Sequence, residues 1–417
     1  MAVACIVKIL VLNGGSSSFK CWFAELPDEA PLPAGAPPPL WTARVDWSRH
    51  SGRAQMQVRR SGGAPVNRSI DAASPVAVLQ PVLELLWSGE ARVVNSPSEI
   101  DVVGHRIVHG GPEYRESTPL TAEVRAAIRK QVEFAPSHNR FELEAIQTVD
   151  EFIGAGVLQV ASFDTSFHST LAPLAYVYPG PYQWLEEGVR RYGFHGNSHR
   201  YAARRAVDLA GGSLSRMITC HLGNGASLAA IRDGKSIDTT MGFTPLEGVM
   251  MGTRSGSIDP GILIYLIRHR GYGAEQLDHI LNQESGLLGV SGISGDMREI
   301  LQARSSGSER ARLAFDVYAH RLVRELGSML AVLGGLDALV FTGGVGENCA
   351  ELRARVCEQL EFVGLRLDAA KNGHPSLDAD VAAPDSRVPV LVIRAQEEWE
   401  IARQCYQLAR ALRVPSV

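Results

Sequence analysis

The chain has 417 residues, 45% hydrophobic and 21% charged, and 41 Lys and Arg against 45 Asp and Glu leave a net charge of −4. That balance belongs to a soluble globular protein, not a disordered one, and with no large basic patch it argues against a nucleic-acid partner. The length exceeds one ordinary core and predicts two domains. Six cysteines are scattered without a CxxC pair, which fits reduced cytoplasmic thiols better than a disulfide or zinc framework. No signal peptide is read at the N-terminus. No apolar run approaches the ~20 residues of a membrane span.

In chain order, Ile6–Leu12 is apolar and β-branched and reads as a buried strand. It runs into Asn13-Gly-Gly-Ser-Ser-Ser18 and a second strand, Phe19–Phe23, which carries Lys20. Such a tip offers backbone N–H groups and hydroxyls that can cradle phosphate oxygens, or is a plain hairpin turn. Pro27–Pro39 holds six prolines and predicts an irregular surface insertion. Asp101–Gly111 is a short strand ending in His105, Arg106 and His109, at the strand end where open α/β sheets place their sites. Helical spacing covers Thr121–Phe134 and Phe141–Ile153, with Ala135–Asn139 as a break. Val157–Phe163 is a strand delivering Asp164, a residue suited either to Mg²⁺ or to a helix cap.

His195 lies among small residues ahead of a helix over Tyr201–Leu209. Met217–Ile231 then repeats the strand, Gly/Asn/Ser turn and strand of Ile6–Phe23, which suggests a duplicated fold with a phosphate-binding tip in each half. Met241–Pro260 places Arg254 among Gly252, Gly256 and two prolines. A guanidinium there suits an oxyanion, although a solvated loop arginine reads equally well. Helices follow over Gly261–Arg268, Glu275–Asn282 and Glu309–Leu333. Strand Ala338–Phe341 feeds Thr342–Asn348 and a helix over Ala350–Leu360, an order that suits an anion or nucleotide. Val388–Ile393 is the last strand, and Glu397 and Glu398 open the terminal helix, where they complement its dipole or serve a site.

Eight motifs together resemble the acetate kinase family, in that family's order and over nearly the whole chain: Asn13–Ser18, Gly104–Gly111, Phe163–His168, Arg191–Gly196, Cys220–Ser227, Met251–Gly256, Asp259-Pro260 and Phe341–Asn348. The resemblance implies an α/β fold of the actin-like sugar-kinase superfamily. Its two duplicated, ribonuclease H-like domains each carry a mixed five-stranded sheet, with a cleft between them. The expected division is 1–165 with the returning helix 396–417, and 166–395. It implies a cytoplasmic homodimer, with no membrane, that transfers the ATP γ-phosphoryl group reversibly and in line to acetate, giving acetyl phosphate and ADP with Mg²⁺ or Mn²⁺.

The same resemblance assigns residues. Arg106, Asp164, His195 and Arg254 would be catalytic. Asn13 and Glu397 would hold the metal, with Asp164 orienting it. Val108, Ser137, Phe194 and Pro245 would line the acyl pocket beside Arg106. Ser18, Lys20, His221, Gly223, Asn224 and Gly225 would bind the nucleotide, Asn224 and the Gly223–Gly225 turn at its phosphates and His221 in a supporting role. Asp296, Met297, Arg298, Gly344, Val345, Gly346 and Asn348 would line the adenosine pocket, and His138 would support the site. The family's usual leucine is Ser137 here, which leaves propionate or another short carboxylate as the alternative acceptor. An ATP-dependent clamp of the same superfamily is a further rival, disfavoured by the Arg106, Arg254 and His195 set. A Rossmann dehydrogenase lacks its GxGxxG pattern here.

Overall fold

The protein is described from a computed structural model, which covers the chain except residues 1–5, 16–17, 29–30, 47–52, 72–74, 134–135, 213, 377 and 414–417. The side chains of 71, 75–76, 133, 136–138 and 413 also fall outside the description. The chain divides into two compact units, Met1–Ser166 with Gln396–Val417, and Phe167–Ala395.

The first unit is built on strands β1 (Ile6–Gly14), β2 (Ser18–Pro27), β3 (Trp41–Asp46), β4 (Arg53–Arg60), β5 (Val66–Asp71), β6 (Val102–Ile107), β7 (Thr118–Pro119) and β8 (Leu158–Phe163). They form one sheet in the order β5-β4-β3-β2-β1-β6-β8-β7. β1 pairs antiparallel with β2 and parallel with β6, and β6 pairs parallel with β8. Val7, Ile9, Leu10 and Val11 on β1 are all fully buried, as expected of a strand with both faces covered. One face packs Phe19, Phe23, Trp41, Val45 and Met56 with Val78, Val82 and Phe141 of nearby helices. The terminal helix Glu397–Arg413 lies against β1 and β6. A side chain at Gly104 would meet Cys405 Sγ at 2.5 Å and Ile401 Cγ2 at 2.9 Å. Gly104 is therefore what lets this helix approach the strand.

The second unit repeats the plan with β9 (Arg216–Leu222), β10 (Ala226–Arg232), β11 (Lys235–Thr239), β12 (Ala338–Thr342), β13 (Ala379–Asp380) and β14 (Val390–Val392). The order is β11-β10-β9-β12-β14-β13. β9 pairs antiparallel with β10 and parallel with β12, and β12 pairs parallel with β14. β3-β2-β1-β6-β8 and β11-β10-β9-β12-β14 are thus the same five-strand arrangement, and the duplication suggested by the two hairpins is visible in the pairing. The sheets have eight and six strands, not five each, because β4, β5, β7 and β13 extend the shared core. β4 alternates buried Ala54, Met56 and Val58 with polar residues, a period-2 signal that the sequence reading passed over.

Several boundaries move for local reasons. Thr121 accepts from Val124 N–H and caps the helix Ala122–Lys130, which ends in a 3-10 turn, Gln131–Glu133. The next helix, expected from Phe141, spans Pro136–Val149 and starts at the proline of the expected break, since proline is well suited to a first helical turn. The helix expected from Tyr201 spans Gly196–Ala210. Glu309–Leu333 matches its predicted span, capped by Ser308 and closed by Gly334 in the left-handed region. Beyond Pro27, which ends β2, the proline-rich segment has no strand among its described residues. Its carbonyls are instead held by the terminal helix, with Tyr406 OH donating to Pro27 O and Asp28 O, and Arg403 Nη1 to Pro33 O.

Candidate active site

In the first unit, Arg106 stands one residue before the end of β6, and Asp164 follows β8 beside it. Arg106 Nη2 donates to Asp164 Oδ2 at 2.6 Å, and Nε donates to both carboxylate oxygens at 3.1 Å. Arg106 Nη1 donates to Asn13 Oδ1 at 3.2 Å and Gly14 O at 3.1 Å, at the end of β1. Glu397, opening the terminal helix, brings Oε2 to 3.9 Å from Arg106 Nε. Burial alone would lower the guanidinium pKa, and the Asp164 and Glu397 carboxylates outweigh it, so it stays raised. Asn13 Nδ2 donates to Glu398 Oε1 at 2.8 Å, and Lys20 Nζ lies 3.5 Å from the same oxygen. Glu398 raises the Lys20 pKa against the effect of burial.

Asn13, Lys20, Arg106, Asp164 and Glu397 therefore share one end of this sheet. Asn13, Asp164 and Glu397 present hard oxygen donors of the kind Mg²⁺ takes, one or two carboxylates with the rest left to phosphates and water. Among the described residues no three His, Cys, Asp or Glu gather as a metal cluster.

Val108 is buried, and its N–H donates to both oxygens of Glu142 at 3.1 Å. Burial pushes the Glu142 carboxyl up to about 8, against the pull of Arg106 and of the Val108 N–H. Ser18 lies at the start of β2. The side chains of Ser137 and His138 lie outside the described residues.

In the second unit, the β9–β10 turn is Gly223-Asn224-Gly225, closed by Gly223 N–H donating to Gly225 O at 2.9 Å. His195 sits in the left-handed region (φ 56°) at the start of helix Gly196–Ala210, a conformation uncommon outside glycine. Its ring stacks on His221 with centroids 4.3 Å apart. A Cβ on Gly225 would stand 3.3 Å from His195 Nε2 and 3.4 Å from Arg254 Nη1. Two cationic or polar donors thus converge on a residue with no side chain.

The Arg254 loop is docked on the same turn. Gly252 N–H donates to Asn224 O, and a Cβ at Gly252 would meet Asn224 Oδ1 at 2.3 Å and Gly295 O at 2.9 Å. Arg254 Nη1 donates to Pro245 O at 3.2 Å. Gly295 leads into Asp296, which caps helix Met297–Ser305 and pairs with Arg298. Gly343, with φ 80°, packs under Leu222 O at the end of β9, ahead of Gly344, Val345, Gly346 and Asn348 in the short helix Gly343–Asn348. Asn348 Nδ2 donates to Gly344 O. His195, His221, Asn224, Arg254 and the glycine turns therefore gather at one end of this sheet, with Asp296 next to the Arg254 loop. Phe194 is buried beneath, its carbonyl accepting from His168 Nε2.

Sequence reasoning passed over Glu142, His199, Ser227 and Thr219. His199 and Ser227 lie inside or next to quoted motifs, and their only signal is spacing: His199 follows His195 by one helical turn, and Ser227 opposes His221 across β9–β10. Glu142 has no such signal.

Residues 8–403 match the Acetokinase family. An acetate kinase of Cyanothece sp. is 54% identical over 405 residues, covering 96% of this chain and 98% of that protein. One from Gloeobacter violaceus is 54% identical over 97% of this chain and all of that one. Among solved structures, the Porphyromonas gingivalis acetate kinase superposes with a TM-score of 0.86 at 39% identity, covering 96% of this chain and 99% of that chain. Matched along almost its entire length in sequence and in fold, the chain belongs to the acetokinase family, and its two repeated sheets are those of the actin-like fold.

Proposed function

We propose that the protein is a kinase that transfers the γ-phosphoryl group of ATP reversibly to acetate, giving acetyl phosphate and ADP. The observation that carries this reading is the convergence of His195 Nε2 and Arg254 Nη1 over Gly225, within a chain of this family. A carboxylate oxygen attacks phosphorus, the bond from phosphorus to the β,γ-bridging oxygen breaks, and that oxygen leaves on ADP. Acetate is ionised at neutral pH, so no general base is required. Charge in such a transfer spreads over three equatorial oxygens, and the protein's task is to position and stabilise them. His195 and Arg254 donate to those oxygens, and Asn224 and the glycine turns receive the other phosphates through backbone N–H groups.

Arg106 orients the carboxylate. Asp164 and Asn13 fix its guanidinium in one plane, so it meets an acceptor already oriented. A Mg²⁺ ion, held by Glu397, Asp164 and Asn13 through oxygen, would neutralise phosphate charge when bound. Asp296 to Arg298 and Gly344 to Asn348 receive the adenosine.

The working form is proposed to be a homodimer. The helix Pro260–Arg270 buries none of its residues and leaves Ile262, Ile264, Tyr265 and Ile267 nearly half exposed. A second copy is the occupant such an apolar face suits, and sedimentation at one chain's mass would sink the idea. The compartment is proposed to be the cytoplasm, where the five described cysteines, all buried and outside any disulfide, stay reduced. No helix among the described residues is long and apolar enough to cross a membrane.

A propionate kinase of Francisella tularensis also superposes at a TM-score of 0.86, at 33% identity, so the fold does not separate acceptors that differ by one methylene. The deciding experiment is ADP formation from Mg²⁺-ATP with acetate, propionate, butyrate or no acceptor. Turnover that depends on acetate is expected. A higher kcat/KM for propionate would move the assignment to that acceptor, and ATP hydrolysis indifferent to every acceptor would overturn it.

A further inference from the structure

Beneath His195 lies a set of groups to which the reaction gives no task. Strand alternation puts Thr219, His221 and Ser227 on one face of β9–β10, since Ser227 opposes His221 and Ala229 opposes Thr219. The first turn of helix Gly196–Ala210 lies on that face. His199 Nδ1 is 2.7 Å from Thr219 Oγ1, and His199 Nε2 is 2.8 Å from Ser227 Oγ. Ser227 Oγ is in turn 2.9 Å from His195 Nδ1. Thr219, His199 and Ser227 are fully buried.

We propose that Thr219, His199 and Ser227 form a one-way hydrogen-bond chain that holds His195 in the tautomer with its proton on Nε2, the atom beside Gly225 and Arg254. These three are positioning residues, and the inference deepens the kinase reading, on which it rests only for the use made of that proton.

The direction follows from counting hydrogens. Thr219 Oγ1 carries one, and among the described residues its hydroxyl meets only His199 Nδ1. A buried hydroxyl hydrogen without an acceptor is costly, so Thr219 donates and His199 Nδ1 accepts. A neutral imidazole has a single N–H. Burial first, then His168 and His221 nearby, hold the His199 pKa well below its ordinary value, so the ring is neutral. His199 therefore carries its proton on Nε2 and donates it to Ser227 Oγ. The single hydrogen of Ser227 is then directed to His195 Nδ1. With Nδ1 accepting, the proton of neutral His195 is on Nε2. The reverse chain would have His195 Nδ1 donate to Ser227, Ser227 to His199 Nε2, and His199 Nδ1 to Thr219. It ends on a Thr219 hydrogen pointing at no acceptor.

The consequence is a donor whose direction does not depend on protonating the ring. In its neutral form His195 offers Nε2–H toward the Gly225 turn, and an anion arriving there meets a hydrogen and not a lone pair.

The test is the ring ¹⁵N spectrum of the histidine-labelled full-length protein without nucleotide, with His195 assigned by its loss in His195→Gln. A protonated-type signal for Nε2 and an unprotonated-type signal for Nδ1 are expected. The opposite pattern, or an average of the two, would overturn the proposal. Thr219→Val keeps the shape and removes the donor. It is expected to mix the two tautomers of His195 and to lower kcat by roughly tenfold while leaving KM for ATP within about twofold, with Thr219→Ser restoring both. An unchanged His195 signal in Thr219→Val would also overturn it. A wild-type spectrum of the expected pattern in a protein that no carboxylate stimulates would support the chain while removing the kinase reading.

Discussion

The two units share one strand plan and arm it in opposite ways. In the first, the sheet end is a lattice of full charges, with Arg106 against Asp164 and Glu397, and Lys20 and Asn13 against Glu398. In the second, the matching end is built from glycines, serines and imidazoles, and Arg254 is the charged group at the turn. A buried charge persists only when it is paired and hydrogen-bonded, so the first unit fixes its guanidinium through carboxylates. The second fixes its imidazole through hydroxyls, which set direction without adding charge. The shared topology decides where the strand ends fall, and the residues placed there decide the chemistry.

That contrast can be broken from either side. The largest effect is expected from Arg254→Ala, which removes the charged group at the second unit's turn. Turnover should fall roughly a thousandfold or more, as loss of an arginine does in other phosphoryl transfers. Steady-state kinetics check this, and near-normal turnover would refute the role. Gly225→Ala should follow, since its Cβ meets both His195 Nε2 and Arg254 Nη1 at 3.3–3.4 Å. A shift of a few tenths of an ångström is expected to cost roughly ten- to a hundredfold in kcat with little change in melting temperature. An equal loss of stability and activity would say that the turn is merely structural.

In the first unit, Glu397→Ala should raise the Mg²⁺ concentration needed for half-maximal rate by about tenfold. An unchanged titration would take Glu397 out of metal binding. The smallest effect on activity, and a clear one on stability, is expected from Glu142→Gln. Glu142 is raised from 4.5 to about 8 in the fold, so the folded state holds a proton that the unfolded state has lost. Its contribution is fully present below about pH 4.5 and is lost as pH rises toward 8. A glutamine side chain does not titrate and can still accept from Val108 N–H. The variant should therefore gain on wild type across that window, by on the order of a few kcal/mol, in denaturation curves at pH 5 and pH 8. Parallel curves at both pH values would show that Glu142 is ionised in the fold.

Legibility in the sequence was uneven for physical reasons. Ile6–Leu12 and Met217–Leu222 announce themselves because a strand covered on both faces is mostly apolar, with Lys8, Thr219 and His221 as the exceptions. Glu309–Leu333 declares both ends because Ser308 and Gly334 satisfy its terminal backbone groups locally. Arg53–Arg60 was passed over although it alternates, since its period-2 signal is carried by only three apolar residues among arginines and glutamines. Pro136 misled because the same ring that ends one helix suits the first turn of the next. The strand-end positions of Arg106 and Asp164 and the glycine-rich loop around Arg254 were readable from local pattern, whereas their partners were not. Nothing near Glu398 says that it faces Asn13, 385 positions away, and nothing near Ser227 says that it stands between two imidazoles.

The sequence by itself therefore determined the local facts: which runs become strands, where glycine turns interrupt them, which residues cap helices, and that one hairpin pattern occurs twice. Those depend on period, backbone freedom and neighbours a few residues apart. Only the tertiary structure decided that Asn13, Arg106, Asp164 and Glu397 meet at one sheet end, that Gly104 seats the terminal helix, and that Thr219 is linked to His195 through two intervening side chains. Those depend on close approach between distant segments, because hydrogen bonds and ion pairs act over a few ångströms and only packing brings their partners that near.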